Sequence, residues 1–293
     1  MELFLQLLVS GLALGSLYAL LSMGYGLIYG TTGEFHVAHA GIFTFTGYFG
    51  YIAHEKWQLG LPASIVIATV FAALMGVVLQ SLFYEPMRRK NASHLTIFIA
   101  ALGLMIVLEN VASIIFGYAP LQFTDNGLKS PIRLKLFSFT PLQLVIVLTA
   151  AAVTVVVLLY LKKSRMGKAI RGVADSPEMA KIIGMSPQKV HIAVYALGSA
   201  ISAPAAVLLA FDSGAVPYRG TMLILLAAIA MILGGIGSPG GAALAGLILG
   251  LSQNLALLFV PAEWANIFTF TLFLIIIFLI PTGFFGVKMA KKI

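Results

Sequence analysis

The stretch SRMGKAIRGVADSPEMAKIIGMSPQKVH (Ser164–His191) is a polar, mostly basic island between two long apolar runs. Its residues resolve into two short helices and the start of a third. Met166, Ala169, Ile170 and Val173 fall at i, i+3, i+4 and i+7, one apolar stripe, while Lys168 and Arg171 point elsewhere. The second helix carries explicit start and stop signals. Asp175 or Ser176 supplies an N-cap, Pro177 suits the first turn, and Glu178 sits where the helix dipole favours an acid. Asp175 and Glu178 also have capping-box spacing. Gly184 after Ile183 is a natural stop, Met179, Ile182 and Ile183 form the apolar face, and Ser186 with Pro187 opens the next helix. A helix of about two turns is unstable alone in water, because helices below ~12–15 residues are marginal. Its apolar face therefore needs a cover: lipid, the chain's own spans, or a cytoplasmic partner. Acidic Asp175 and Glu178 fit poorly against an anionic leaflet, and a capped helix joined rigidly to a span suits a lever.

The rest of the chain explains why such an island is unusual. Of its 293 residues 60% are hydrophobic and only 10% charged, with a mean hydropathy of +1.02. Soluble domains carry about 25% charged residues, so this chain cannot cover itself with polar surface. Apolar runs near the ~20 residues that a span needs recur at roughly 3–29, 36–54, 62–84, 94–117, 141–161, 190–211, 221–236, 238–260 and 265–281. The expected fold is one all-α polytopic membrane domain over 1–293, with about nine spans (8–10) and a cytoplasmic segment at 162–189. Thirteen Lys and Arg residues fall on one side: Arg88, Arg89, Lys90, seven between Lys162 and Lys189, Lys288, Lys291 and Lys292. Five fall on the other: Lys56, Lys129, Arg133, Lys135 and Arg219. The positive-inside rule then places the N-terminus outside and the C-terminus in the cytoplasm. The net charge of +8 is gathered in the segments between spans, which argues against nucleic acid as a partner. With no cysteine, disulfides and thiolate metal sites are excluded. The opening MELFLQLLVS has no Lys or Arg before its apolar run, so it reads as a first span and not as a cleaved signal.

Two glycine-rich knots interrupt the spans, in MGYGLIYGTTGEFHVAHAG (23–41) and MILGGIGSPGGAALAG (231–246). Irregular backbone in a bilayer is tolerated only where protein buries it or water reaches it. Broken helices are therefore expected near 24–35 and 234–241, either along a transport path or as plain tight turns of small residues. The candidate path residues around them are His36, His39, Thr44, Gly234, Gly235, Gly237 and Asn254. His36 and His39 read as neighbours on one helix face; two ligands do not make a metal site, and neither H-E-x-x-H nor Cys accompanies them. Glu109, followed by Asn110, is an intramembrane acid: a proton relay by default, or a hydrogen-bonded packing group. Gln253 and Asn254 need partners inside a span, on the path or on a neighbouring helix. Asp212 and Arg219 flank SGAVPY at the outer mouth, placed for an extracytoplasmic partner or simply solvated. No G-x-x-x-x-G-K-[ST] loop exists in the chain, so any nucleotide chemistry belongs elsewhere.

SRMGKAIRGVADSPEMAKIIGMSPQKVHIAVYALGSAISAPAAVLLA (164–210) resembles the cytoplasmic-loop signature of ABC importer permeases for branched-chain amino acids, of the LivH/LivM type. The resemblance continues in YGTTGEFHVAHAGIFTFTGY (29–48), ILGGIGSPGGAALAGLILG (232–250) and PTGFFG (281–286), in the family's order. It implies a permease of the cell inner membrane that works beside a second permease, identical or paralogous. Two cytoplasmic ATPases, which hold the ATP and magnesium, and an extracytoplasmic solute-binding protein complete the assembly. It also implies that Asp175, Ser176, Pro177, Glu178, Met179, Ile182, Ile183 and Gly184 are the coupling helix that docks on the ATPase. The chain itself would need no cofactor and perform no bond chemistry, with a branched-chain or other hydrophobic amino acid as its solute. The pattern departs at His36, where the family commonly has Asn or Ser, at Ala40, and after Arg219, where LivH-type members often carry Lys. Relatives carry other small solutes, so urea, amides, aromatic acids, sugars and nucleosides stay open. An ion-driven secondary transporter and an intramembrane enzyme are the rival classes; both require more buried ionisable groups than this sequence offers.

Overall fold

The computed structural model describes residues 2–125, 127–133 and 137–286. Twelve α-helices dominate them: α1 Glu2–Thr32, α2 His39–Tyr51, α3 Leu61–Leu79, α4 Glu85–Arg89, α5 His94–Phe116, α6 Pro141–Lys163, α7 Arg165–Asp175, α8 Pro177–Ile182, α9 Pro187–Ser213, α10 Arg219–Gly234, α11 Pro239–Ala256 and α12 Ala265–Leu279. A π-helical turn at Ile52–Lys56 extends α2, and another at Gln80–Tyr84 joins α3 to α4. Two short antiparallel strands, β1 Ile132–Arg133 and β2 Ser138–Phe139, pair in the loop between α5 and α6. Serines set many of the helix starts: Ser93, Ser164, Ser176, Ser186 and Ser238 each accept a bond from the backbone N–H three residues on. Thr140 opens α6 with a reciprocal capping box to Gln143.

Six of these helical segments are long and apolar enough to cross a bilayer by themselves. The pair α10 and α11, bent by 119° at the break between them, passes only when taken together, which gives up to seven. Each of the nine expected apolar runs is mostly helical, but α2, α10 and α11 are not long and apolar enough to count as spans by themselves. Lys135, Lys288, Lys291 and Lys292, which entered the orientation argument, lie outside the described residues.

The core is built around α1, which lies antiparallel to α11 and also packs on α9 and α10. Glycine makes this possible. A Cβ on Gly250 would sit 2.2 Å from Gly15 Cα, and one on Gly24 would sit 2.3 Å from the Gly198 carbonyl oxygen. The outer face is apolar and open, as at Leu148, Val155 and Val156 on α6 and at Leu274 and Phe278 on α12. That distribution suits a chain whose solvent is lipid.

One expectation needs correcting. The break expected near 24–35 falls only at the end of that range: α1 runs on through MGYGLIYGTT to Thr32, and the interruption is the short segment 33–38. Gly24, Gly26 and Gly30 serve close packing, against Gly198, Met231 and Gly237. Only Gly33, at φ +70°, uses its conformational freedom. The helix of the second expected run therefore starts at His39 instead of residue 36, and His36 precedes it. The other expected break, 234–241, is present: α10 ends at Gly234 and α11 opens at Pro239.

Candidate functional site

The island at 162–189 folds much as its residues suggest. α7 buries Gly167, Ile170 and Val173, with Met166 and Ala169 partly covered. Ser176 takes the α8 cap, accepting from the Met179 N–H at 3.3 Å, and Asp175 ends α7, so the Asp175–Glu178 capping box does not form. Gly184, at φ +83°, follows the last residue of α8 and its C-cap, Ile183. Ala180 is the buried residue of α8, while Met179, Ile182 and Ile183 stand 60%, 75% and 66% exposed. Four residues later Ser186 caps α9, so the exposed apolar face is tied to a long buried helix without slack. An open cleft of about 620 Å³ separates the α8–α9 corner from α4, lined by Arg88, Arg89, Lys181 and His191 among others.

The path candidates begin just before α2 and continue along it. His36 and His39 are both fully buried, with ring centroids 5.5 Å apart, although they do not share a helix face. His36 Nδ1 lies 2.7 Å from the Tyr84 hydroxyl, and its ring packs against Tyr195. His36 Nε2, both ring nitrogens of His39, and the hydroxyls of Thr44 and Tyr48 are buried without a hydrogen-bond partner among the described residues. Buried polar atoms left unpaired are uncommon and call for an explanation. Among the described residues no three His, Cys, Asp or Glu side chains gather as a metal site would require.

Thr44 lies five residues further along α2, against the start of α10, where a Cβ on Gly220 would sit 2.8 Å from its hydroxyl oxygen. Thr44 and Arg219 line the same narrow cleft, whose ~10 Å³ admits about one water. The Arg219 guanidinium donates to Ser213 Oγ at 2.8 Å and to the Ser213 carbonyl at 3.4 Å. Asp212 is exposed, and the described residues show no ion pair between it and Arg219. The structure thus brings Thr44 and Arg219 to one cleft and leaves Asp212 outside its lining.

The other candidates pack elsewhere. Gly235 and Gly237 turn the chain at φ +96° and +86°, and Gly234 presses on Gly241 at the foot of α11. The segment 282–286 covers this turn, with the Phe284 N–H donating to the Leu233 carbonyl at 2.7 Å. Asn254 bonds the Gly250 carbonyl at 3.1 Å and meets Gly11 of α1. Its neighbour Gln253 bridges helices: it accepts from the Tyr18 hydroxyl at 3.0 Å and donates to Asn266 at 2.9 Å.

Glu109 has a defined task. It is buried on α5 and accepts the Thr221 N–H at 3.1 Å and the Thr221 hydroxyl at 2.7–2.8 Å. Thr221 is the third residue of α10, whose N-cap Tyr218 makes no side-chain cap. A carboxylate from a neighbouring helix thus satisfies an orphan donor at the α10 N-terminus, where the dipole favours negative charge.

One group escaped the sequence reading. Arg88 Nε lies 2.9 Å from a carboxylate oxygen of Glu34, which is only 3% exposed. The Tyr195 hydroxyl donates to the other Glu34 oxygen at 3.1 Å. Arg88 also bonds Gln80 and His191 and reaches a second carboxylate, Glu85, at 3.5 Å. Burial pushes the Glu34 carboxyl up from its ordinary range, while Arg88 and the Tyr195 hydroxyl pull it back. In the sequence Arg88 looked like one more inward-side cation; the signal that was available is Glu34 itself, an acid inside a glycine break.

A family description, "Branched-chain amino acid transport system / permease component", matches residues 7–277. The high-affinity branched-chain amino acid transport permease LivH of Escherichia coli strain K12 is 31% identical, over 99% of this chain and 98% of its own length. LivH of Salmonella typhimurium strain LT2 is 30% identical over the same shares. BraD of Pseudomonas aeruginosa, also named as such a permease protein, is 27% identical over 99% and 98%. No solved structure matches the chain.

Proposed function

The chain belongs to the branched-chain amino acid transport permease family and is a multi-pass inner-membrane protein; on that premise we propose that it moves branched-chain or other hydrophobic amino acids inward. Its energy comes from ATP hydrolysed on two cytoplasmic ABC subunits, which hold the nucleotide and its magnesium. Beside a second permease it receives the amino acid from an extracytoplasmic binding protein, contacted at Asp212 and Arg219. It crosses the membrane nine times, N-terminus outside, and carries no catalytic site and no cofactor of its own. The observation that carries this reading is α8: a six-residue helix whose Met179, Ile182 and Ile183 are exposed at the water-facing island and joined to α9 through its cap. Helices this short persist only with tertiary packing, so a partner surface is required there. An ATPase groove supplies it, with Asp175, Ser176, Pro177, Glu178 and Gly184 fixing the helix that enters. His36, His39 and Thr44 line the route along α2; the GGIGSPGG turn and Asn254 brace it.

Affinity purification in mild detergent followed by mass spectrometry tests the assembly. Recovery of a P-loop ATPase and a second permease supports it. A single species that transports in liposomes without ATP overturns it in favour of a gradient-driven carrier.

A further inference from the structure

The segment 33–38 is the short non-helical link between α1 and α2, and its buried face carries Glu34 and His36. The hydrogen bonds and the ion pair of those two side chains come from two places, apart from the His36–His39 ring contact and the nearby charge of His94. One is the α3–α4 arm, through Tyr84 and Arg88; the other is the first part of α9, through Tyr195. His191 and Tyr195 are four apart, so they share one face of α9, and both touch the pair: His191 meets Arg88 and Tyr195 meets Glu34. His191 lies one turn beyond Pro187, which α8 reaches through only four residues. A displacement of α8 is therefore delivered to Arg88 through a single helical turn.

The two partners differ in exposure. The Glu34 side chain is 2% exposed and fixed in the link, whereas that of Arg88 is 19% exposed and borders the open cleft beside α8. Buried ion pairs gain little net stability because desolvation offsets the attraction, but they specify one geometry, and losing a partner is costly. Such a pair suits an element with two discrete arrangements. We propose that Glu34 and Arg88 form the inner latch of the permease, holding the 33–38 link closed against α4 and α9 until α8 moves. Glu34, Arg88, His191 and Tyr195 are then positioning residues. They act on the route by holding or releasing the backbone beneath His36 and His39. The inference rests on α8 being the ATPase contact, and it adds the device through which that contact reaches the route.

The natural chain has no cysteine, so one introduced thiol reports cleanly on the link. Ala38 is fully buried and small, and Ala38→Cys places a thiol under the link. The intact transporter carrying it is treated with a membrane-impermeant maleimide from the cytoplasmic side, without ATP, and labelling of this chain is read by mass. Adding Glu34→Gln or Arg88→Gln should raise the labelling rate about tenfold or more, as loss of a buried charge pair warrants. Arg88→Lys, which keeps the charge, should recover most of the protection. Tyr195→Phe, which removes one hydroxyl, should give a smaller rise; it carries the test if the charge variants fail to assemble. Equal labelling in the parent, Glu34→Gln and Tyr195→Phe would overturn the latch, as would Arg88→Lys reacting as fast as Arg88→Gln. If no ATPase co-purifies with the parent chain, the importer reading fails instead, and the labelling contrast still reports on the latch.

Discussion

The two ends of α2 are held in opposite ways. At the inner end the link before it is fastened by Glu34, Arg88, Tyr84, Tyr195 and His36, all in mutual reach and largely out of water. At the other end Glu55 accepts from the Thr124 N–H at 2.9 Å and hydroxyl at 2.7 Å in an exposed loop. Exposed hydrogen bonds exchange readily with water and contribute about 0.5–1.5 kcal/mol each. Separating a buried charge from its partner costs about 3–5 kcal/mol. The outer end can therefore yield to a docking protein, while the inner end needs work done on it. An importer driven from the cytoplasm by ATP, and loaded from outside by a binding protein, calls for that asymmetry.

The largest effect should follow from cutting the inner end off from its source of work. Met179→Asp with Ile182→Asp places charge on the face proposed to enter the ATPase groove. These side chains are exposed in the chain alone, so insertion and folding should survive. Hydrolysis stimulated by the binding protein should fall to background in the reconstituted complex. Normal stimulation in the double variant would sink the coupling role of α8 and, with it, the contrast between the two ends.

The capped helix α8 was legible because it is local. The caps at Ser176 and Ser186 and the stops at Gly184 and Gly235 depend on a few adjacent residues, and the sequence displays them directly. The second break was legible for the same reason. The first was misplaced because glycine carries two meanings: in MGYGLIYG it marks close helix contact, and only at Gly33 does it mark a turn. No local pattern separates those uses; the neighbours at Gly198, Met231 and Gly237 do. The Glu34–Arg88 pair was invisible for a stronger reason. Its members are 54 positions apart, and pairing over that distance is settled by packing. Arg88 was read by the side of the membrane it faced, which was the rule available and the wrong question. The joining of Thr44 to Arg219 is likewise tertiary, set by α10 meeting α2 at Gly220.

An intermediate effect belongs to Glu109, which secures the outer half. Glu109→Leu leaves the Thr221 N–H and hydroxyl without their acceptor, a loss of about 1–3 kcal/mol that thermal unfolding of the complex in detergent would register. Glu109→Gln keeps an acceptor oxygen for the same donors, and transport should remain close to that of the parent. A proton relay predicts the reverse, because the amide cannot take up and release a proton. Transport abolished by Glu109→Gln in a stable complex would make the outer half chemically active and the asymmetry a misreading.

The smallest effect should come from the rim. Asp212 is exposed, and Asp212→Asn should leave stability within about 0.5 kcal/mol of the parent, as for most surface changes. If it meets the binding protein, its charge acts on encounter and not on the force that opens the route. The concentration of binding protein giving half-maximal hydrolysis should then shift by a few-fold at low salt, and the difference should fade as the Debye length shrinks to about 3 Å at 1 M. Maximal hydrolysis should not change. A lowered maximum would mean that the rim itself carries force, so that the outer end is no looser than the inner. No shift at any salt would take Asp212 out of the docking surface.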